Sequence, residues 1–173
     1  MYLSLIGIMK KDNDPIAMAI QTEKDGIDFY KKAAQKTTHP FGKEMFLSFI
    51  KDEERHLELL KQISQEMEIT FDSTYSPKKR IKTVFEAVAD QVMDHIAPTT
   101  DETEAIKIAL EIENEGYEFY EEQAQNNPQH SHFFERLARE ESEHIAILQN
   151  LREYLTDTGH WFMYQEHQMV DGG

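Results

Sequence analysis

Two tetrapeptides in this chain carry side chains suited to holding metal ions, Glu53-Glu54-Arg55-His56 and Glu141-Ser142-Glu143-His144. Each is a Glu-x-x-His set inside a run of helical periodicity. Residues three apart share a helix face, so the carboxylate and imidazole of each set can grip one ion together. About one helix earlier, a lone glutamate interrupts an apolar stripe, Glu23 before the first set and Glu113 before the second. An unpaired carboxylate buried among Ile, Leu, Phe and Ala costs several kcal/mol, and four in one core are untenable alone. Two divalent cations would cancel the four charges and leave a neutral cluster with two imidazoles. Carboxylate and imidazole donors without thiolate suit iron or manganese, and zinc as well. The expected ligands are therefore Glu23, Glu53, His56, Glu113, Glu141 and His144. Glu23 and Glu113 are the expected bridges, with Glu53/His56 and Glu141/His144 each terminating one ion.

Four helices must position these residues. Asp12 or Asp14 can cap the first, with Pro15 in a first turn where its missing N–H costs nothing. Ile16, Ala19, Ile20, Glu23, Ile27, Tyr30 and Ala34 then recur at helical steps. Pro40 pushes the residue before it out of the helical region and ends that helix at 37–39. A second helix from near Phe41 carries Phe46, Phe49, Ile50, Glu53, His56, Leu57 and Leu60, and the short loop makes the two antiparallel neighbours. A third, from about Glu102, carries Ile106, Ala109, Leu110, Glu113, Gly116, Tyr117, Tyr120 and Ala124 as far as Asn126-Asn127-Pro128. A fourth carries Phe134, Leu137, Ala138, Glu141, His144, Ile145, Leu148 and Leu151.

The halves repeat. Ala19, Glu23, Gly26, Phe29, Tyr30 and Ala34 return 90 residues later as Ala109, Glu113, Gly116, Phe119, Tyr120 and Ala124, and Glu53 and His56 return 88 later as Glu141 and His144. The expected fold is all-α: a four-helix bundle of two hairpins related by approximate two-fold symmetry. A long crossover containing a short extra helix at 78–96 would let helices two and three run parallel. One domain is expected over 1–173, with an N-terminal arm at 1–13, a first hairpin at 14–64, the crossover at 65–100 and a second hairpin at 101–155. The aromatic tail at 156–173, with Trp161, Phe162 and Tyr164, is expected to dock as a cap or dimer contact.

Tyr30 and Tyr120 are the candidate catalytic residues beside the ligands. They lie two turns after Glu23 and Glu113, where each could hydrogen-bond a ligand carboxylate, pass an electron, or serve as a core tyrosine. Gly26 and Gly116 suggest either room for a small oxidant or close helix packing, at about 1 kcal/mol each relative to Ala. Glu54, Glu115 and Glu143 read as solvated. His130 and His132, in the loop or first turn before the fourth helix, could form a second metal site, though loop histidines usually bind nothing.

The 173 residues, 39% apolar and 29% charged, fit one soluble domain, and no run is long and apolar enough to span a bilayer. With no cysteine, thiolate metal sites and cysteine nucleophiles are excluded. A net charge of −15 repels nucleic acid and anionic membrane, so neither is an expected partner. A cytoplasmic homodimer is expected.

The two Glu…Glu-x-x-His sets resemble those of the ferritin-like superfamily, and within it the rubrerythrin-like proteins, over roughly residues 14–155. The resemblance implies a ferritin-like bundle, the same six ligands by motif position, and two iron ions. It further implies a di-iron oxidoreductase that reduces O2 or H2O2 in oxidative-stress defence. Two departures matter. Rubrerythrins carry a rubredoxin module that holds iron with cysteines, and this sequence has none, so the reductant is expected to be an external electron donor or Fe(II) itself. They also have a glutamate one turn after the third-helix ligand, where this chain has Gly116, so the donor set is similar to the symmetric four-Glu, two-His arrangement of bacterioferritin. The alternative is thus a ferroxidase or iron-handling protein with Fe(II) as substrate. A non-enzymatic bundle with a structural metal is a third reading.

Overall fold

Proline placement sets where the first two helices begin. Pro15 opens α1 (Pro15–Lys36) and Pro40 opens α2 (Pro40–Ser64), each in a first turn that needs no donor from it. The second pair is α3 (Thr100–Asn126) and α4 (Ser131–Thr156). This computed structural model describes residues 15–65, 75–77, 80 and 100–156, and among them the four helices are joined by no strand. The expected extra helix at 78–96 falls outside the described residues except at Arg80. The N-terminal arm and the docking of the aromatic tail lie outside them altogether.

Between α1 and α2 the residue before Pro40 adopts the extended conformation that proline demands: His39 has φ −65° and ψ 119°. Its ring Nδ1 accepts the Gly42 N–H at 3.3 Å, which makes it the N-cap of α2. Glu102 of α3 reaches into the same loop. One of its oxygens accepts the backbone N–H of Thr38, that of His39 at 2.8 Å and the Thr38 hydroxyl at 3.0 Å. A buried carboxylate thereby satisfies the loop donors that the helix ends leave open.

The apolar stripes are buried as their spacing requires, and they form two clusters. One, toward the α1–α2 loop, includes Tyr30, Phe41, Met45, Phe46, Phe49 and Leu148; the other includes Leu60, Tyr120, Phe134 and Leu137. The repeat is visible in the rings. Tyr30 stacks on Phe46 at 5.9 Å and 22°, and Tyr120 on Phe134 at 6.1 Å and 24°. Between these two apolar plugs lies a polar layer.

Contacts across that layer define the topology. Tyr30 meets Glu113 while Tyr120 meets Glu23, and Asp52 meets His144 while His56 meets Glu140. So α1 runs antiparallel to α3, and α2 to α4. Because each hairpin is itself antiparallel, α2 and α3 are parallel, the arrangement a long crossover permits.

Candidate metal centre

All six expected ligands converge in the polar layer. Helix α1 delivers Glu23, α2 delivers Glu53 and His56, α3 delivers Glu113, and α4 delivers Glu141 and His144; none is more than 4% exposed. Their donor atoms form two groups, each within 4.8 Å: Glu23, Glu53, His56 and Glu141, and then Glu53, Glu113, Glu141 and His144. His56 Nδ1 lies 3.1 Å from Glu53 Oε2, 3.2 Å from Glu141 Oε1 and 3.6 Å from Glu23 Oε1. His144 Nδ1 lies 3.4 Å from Glu53 Oε1, 3.3 Å from Glu141 Oε2 and 3.1 Å from Glu113 Oε2.

Glu53 and Glu141 therefore turn one oxygen to each histidine, whereas Glu23 and Glu113 each belong to one end. This reverses the division expected from sequence, in which Glu23 and Glu113 bridge. The cause is the antiparallel crossing of α2 and α4, which brings Glu53 and Glu141 together at the middle of the layer. Glu23 and Glu113 are drawn outward by tyrosines: Tyr120 donates its hydroxyl to Glu23, and Tyr30 donates to Glu113. Burial first, and the nearby carboxylates second, hold both phenols well above their ordinary range, so they remain donors.

Two further carboxylates, absent from the expected set, complete the layer. Glu140 Oε2 is 3.1 Å from His56 Nε2, and Asp52 Oδ2 is 3.2 Å from His144 Nε2. With Nε2–H donating outward, each Nδ1 faces the cluster, and release of its proton presents the lone pair that metal ligation needs. Phe49 stacks on the His144 ring at 4.3 Å and 26°, which fixes its plane. A sequence signal existed: an acidic residue directly precedes the glutamate of each Glu-x-x-His set, 88 residues apart. Arginines hold the outer pair. Arg136 Nε is 2.6 Å from Glu140, which Arg55 also contacts, and Arg80 is 2.7 Å from Asp52. Burial pushes the Glu140 carboxyl up, but the His56 hydrogen bond and charge, with Arg55 and Arg136, outweigh it and bring it down to about 2.

The inner four glutamates have no such help. Among the described residues, no lysine or arginine pairs with Glu23, Glu53, Glu113 or Glu141. Burial, then the charges of Glu141 and Glu23, push Glu53 well above the usual carboxylate range. Burial likewise raises Glu113 to about 8 against the opposing pull of His144. For Glu141, burial is outweighed by hydrogen bonds from Glu113, His144 and His56, and its carboxyl falls well below the ordinary value. For His56 and His144, burial is outweighed by the charges of Glu23 and Glu113 and by hydrogen bonds to their carboxylate partners, and both are raised. Without metal, the cluster shares protons to offset its own charge. The donor set and its surplus of negative charge fit two divalent cations in their place.

Gly26 and Gly116 flank a small cavity between α1 and α3, lined also by Glu23, Tyr30, Glu53, Glu113, Tyr120 and Glu141. A Cβ at Gly26 would meet nothing within 4 Å, and one at Gly116 would meet only Glu141 at 3.8 Å. These glycines therefore leave space rather than allow close helix packing. Glu54 and Glu115 are exposed, as expected. Glu143 is not: it is half-buried and accepts the Ser76 hydroxyl, because the crossover passes over it. His132 is exposed and lies 3.9 Å from Glu135. Neither His130 nor His132 joins a metal-type cluster among the described residues.

A four-helix bundle whose core layer holds four glutamates and two histidines in two-fold arrangement defines the ferritin-like carboxylate class. The sequence model of the rubrerythrin family matches residues 14–152, most of the chain, and the chain belongs to that family. No curated protein and no solved structure matches it. No helix among the described residues is long and apolar enough to cross a membrane.

Proposed function

We propose that this protein binds two iron ions in its bundle core and reduces dioxygen or hydrogen peroxide, drawing electrons from an external donor. What supports this most directly is the sharing of Glu53 and Glu141 between two otherwise separate ligand groups. Bound iron would supply the redox electrons. The chain's own residues do the rest. Glu53 and Glu141 hold two positions close together, Glu23/His56 and Glu113/His144 complete each end, and Asp52 and Glu140 orient the imidazoles. The apolar plugs above and below exclude bulk water. The small cavity between the glycines, lined by all four inner glutamates, is the space a small oxidant would take.

A second reading, Fe(II) oxidation for storage or detoxification, is favoured by the symmetry of the donor set and the glycines at 26 and 116. Manganese and zinc suit the same donors, and a purely structural ion is the non-enzymatic outcome. Anaerobic loading with Fe(II) should give two ions per chain, and exposure to O2 or H2O2 should give ferric absorption. Catalytic peroxide turnover with an added reductant supports the first reading, and repeated Fe(II) oxidation with mineral growth supports the second. Tight retention of zinc with no redox response to iron overturns both.

A further inference from the structure

The two halves of the centre match in their ligands but not in what holds them. Glu140 is gripped from the helices themselves, by Arg136 of α4 and Arg55 of α2. At the 88-residue offset of the repeat, the position equivalent to Arg136 is Ser48, and the position equivalent to Arg55 is Glu143. Neither is a cation. Asp52, the counterpart of Glu140, therefore has no cation at the repeat-related helix positions, yet it is just as buried, at 1% exposure.

Its partners come from the crossover instead. Arg80 Nη1 lies 2.7 Å from Asp52 Oδ1, and the Tyr75 hydroxyl donates to the same oxygen. Arg80 also reaches the Tyr75 hydroxyl at 3.2 Å. The segment is fastened to both hairpins. Arg136 Nη2 donates to the Tyr75 carbonyl at 2.8 Å, the Arg55 guanidinium sits 4.1 Å over the Tyr75 ring, and Ser76 donates to Glu143. Arg136 and Arg55 thus serve Glu140 and the strap together.

We propose that the crossover segment carrying Tyr75 and Arg80 is a working part of the metal centre, a strap that keeps Asp52 on His144. The two metal positions are then inequivalent. The Glu113/His144 position depends on the crossover, and the Glu23/His56 position does not. Arg80 and Tyr75 are positioning residues that act through Asp52. The proposal rests on the two-ion reading given above.

Anaerobic titration with Co(II), followed by its visible bands, tests this on the full chain. Wild-type protein should take up two ions. Arg80→Met should keep one at wild-type affinity and bind the other roughly tenfold more weakly, the low end of the loss expected when a group outside the ligands is removed. Arg80→Lys should recover most of that affinity, and Tyr75→Phe should show a smaller loss at the same ion. In a His144→Ala background, Arg80→Met should leave the remaining ion untouched; in a His56→Ala background it should weaken it. Equal weakening of both ions, no weakening, or an effect confined to the His144→Ala background overturns the strap. Should Arg80→Met lose its helical circular dichroism, Tyr75→Phe decides alone by the same criteria. A wild-type chain that binds no second ion refutes the two-ion reading and the proposal with it. Two ions in the wild type and unchanged affinities in the variants refute the strap only.

Discussion

Glu113→Gln should make the metal-free protein more stable while removing a metal ligand, and pH sets the size of the effect. In the metal-free fold Glu113 holds its proton up to about 8, against an ordinary value of 4.5. The unfolded chain releases that proton above 4.5, so the stability it contributes is fully present below 4.5 and is lost as pH rises toward 8. At about 1.4 kcal/mol per pH unit, the whole window amounts to at most about 5 kcal/mol. Glutamine mimics the protonated acid, and its carbonyl can still accept from Tyr30. The histidines add a loss of the same sign above 6.5, so the interval to read runs from about pH 5 to 6.5, where Glu113 and Glu53 both lose stability as pH rises. Urea unfolding in chelator should therefore show wild-type stability falling with pH across that interval. In Glu113→Gln the slope should be shallower by about 1.4 kcal/mol per pH unit, one proton's worth. A wild-type protein that gains stability over this interval, or a variant with an unchanged slope, refutes the picture of a proton-sharing cluster.

Glu53→Ala and Glu141→Ala should each cost both ions, whereas Glu23→Ala should cost one; elemental analysis after anaerobic loading separates these outcomes, and loss of one ion in all three would refute the bridging assignment. Glu140→Ala removes the buried acceptor shared by Arg55, Arg136 and His56 and should destabilise by roughly 3–5 kcal/mol in denaturant, with a loss below about 1 kcal/mol counting against the arginine grip. The stability that Glu140 contributes is present above 4.5 and lost as pH falls toward about 2, so acid unfolding of the metal-free protein should become less steep in Glu140→Gln. Phe134→Ala removes the ring under Tyr120 and should cost roughly 3–5 kcal/mol, read from thermal or urea unfolding.

The helices and the six ligands were legible because both are periodic. Apolar residues at three- and four-residue steps define faces, and two copies of one pattern at offsets of 90 and 88 mark residues that meet a common centre. Which oxygen meets which histidine was not legible, since spacing places a residue on a face without saying how antiparallel helices cross there. The tyrosines show the same effect: each lies two turns from a glutamate on its own helix, but the crossing carries it to the glutamate of the other hairpin. Asp52 and Glu140 were hidden by their neighbours, because a residue beside a ligand sits about 100° around the helix and reads as surface. Tyr75 and Arg80 carry no periodic signal at all. Their place in the layer comes from contacts that span 23 and 28 residues to Asp52.

Every link between the hairpins in the polar layer joins residues far apart in the chain, 83 for Tyr30 with Glu113 and 97 for Tyr120 with Glu23. Contacts inside each hairpin span far less sequence, and local contacts form first. Each hairpin should therefore assemble early, holding three of the four donors of one ion and one of the other's, and the halves should close on one another last. Metal capture then belongs to the docking step, where open ligands and free ions meet. Refolding should show a late phase that quickens with metal concentration, and an ion once enclosed should exchange only as fast as the hairpins part.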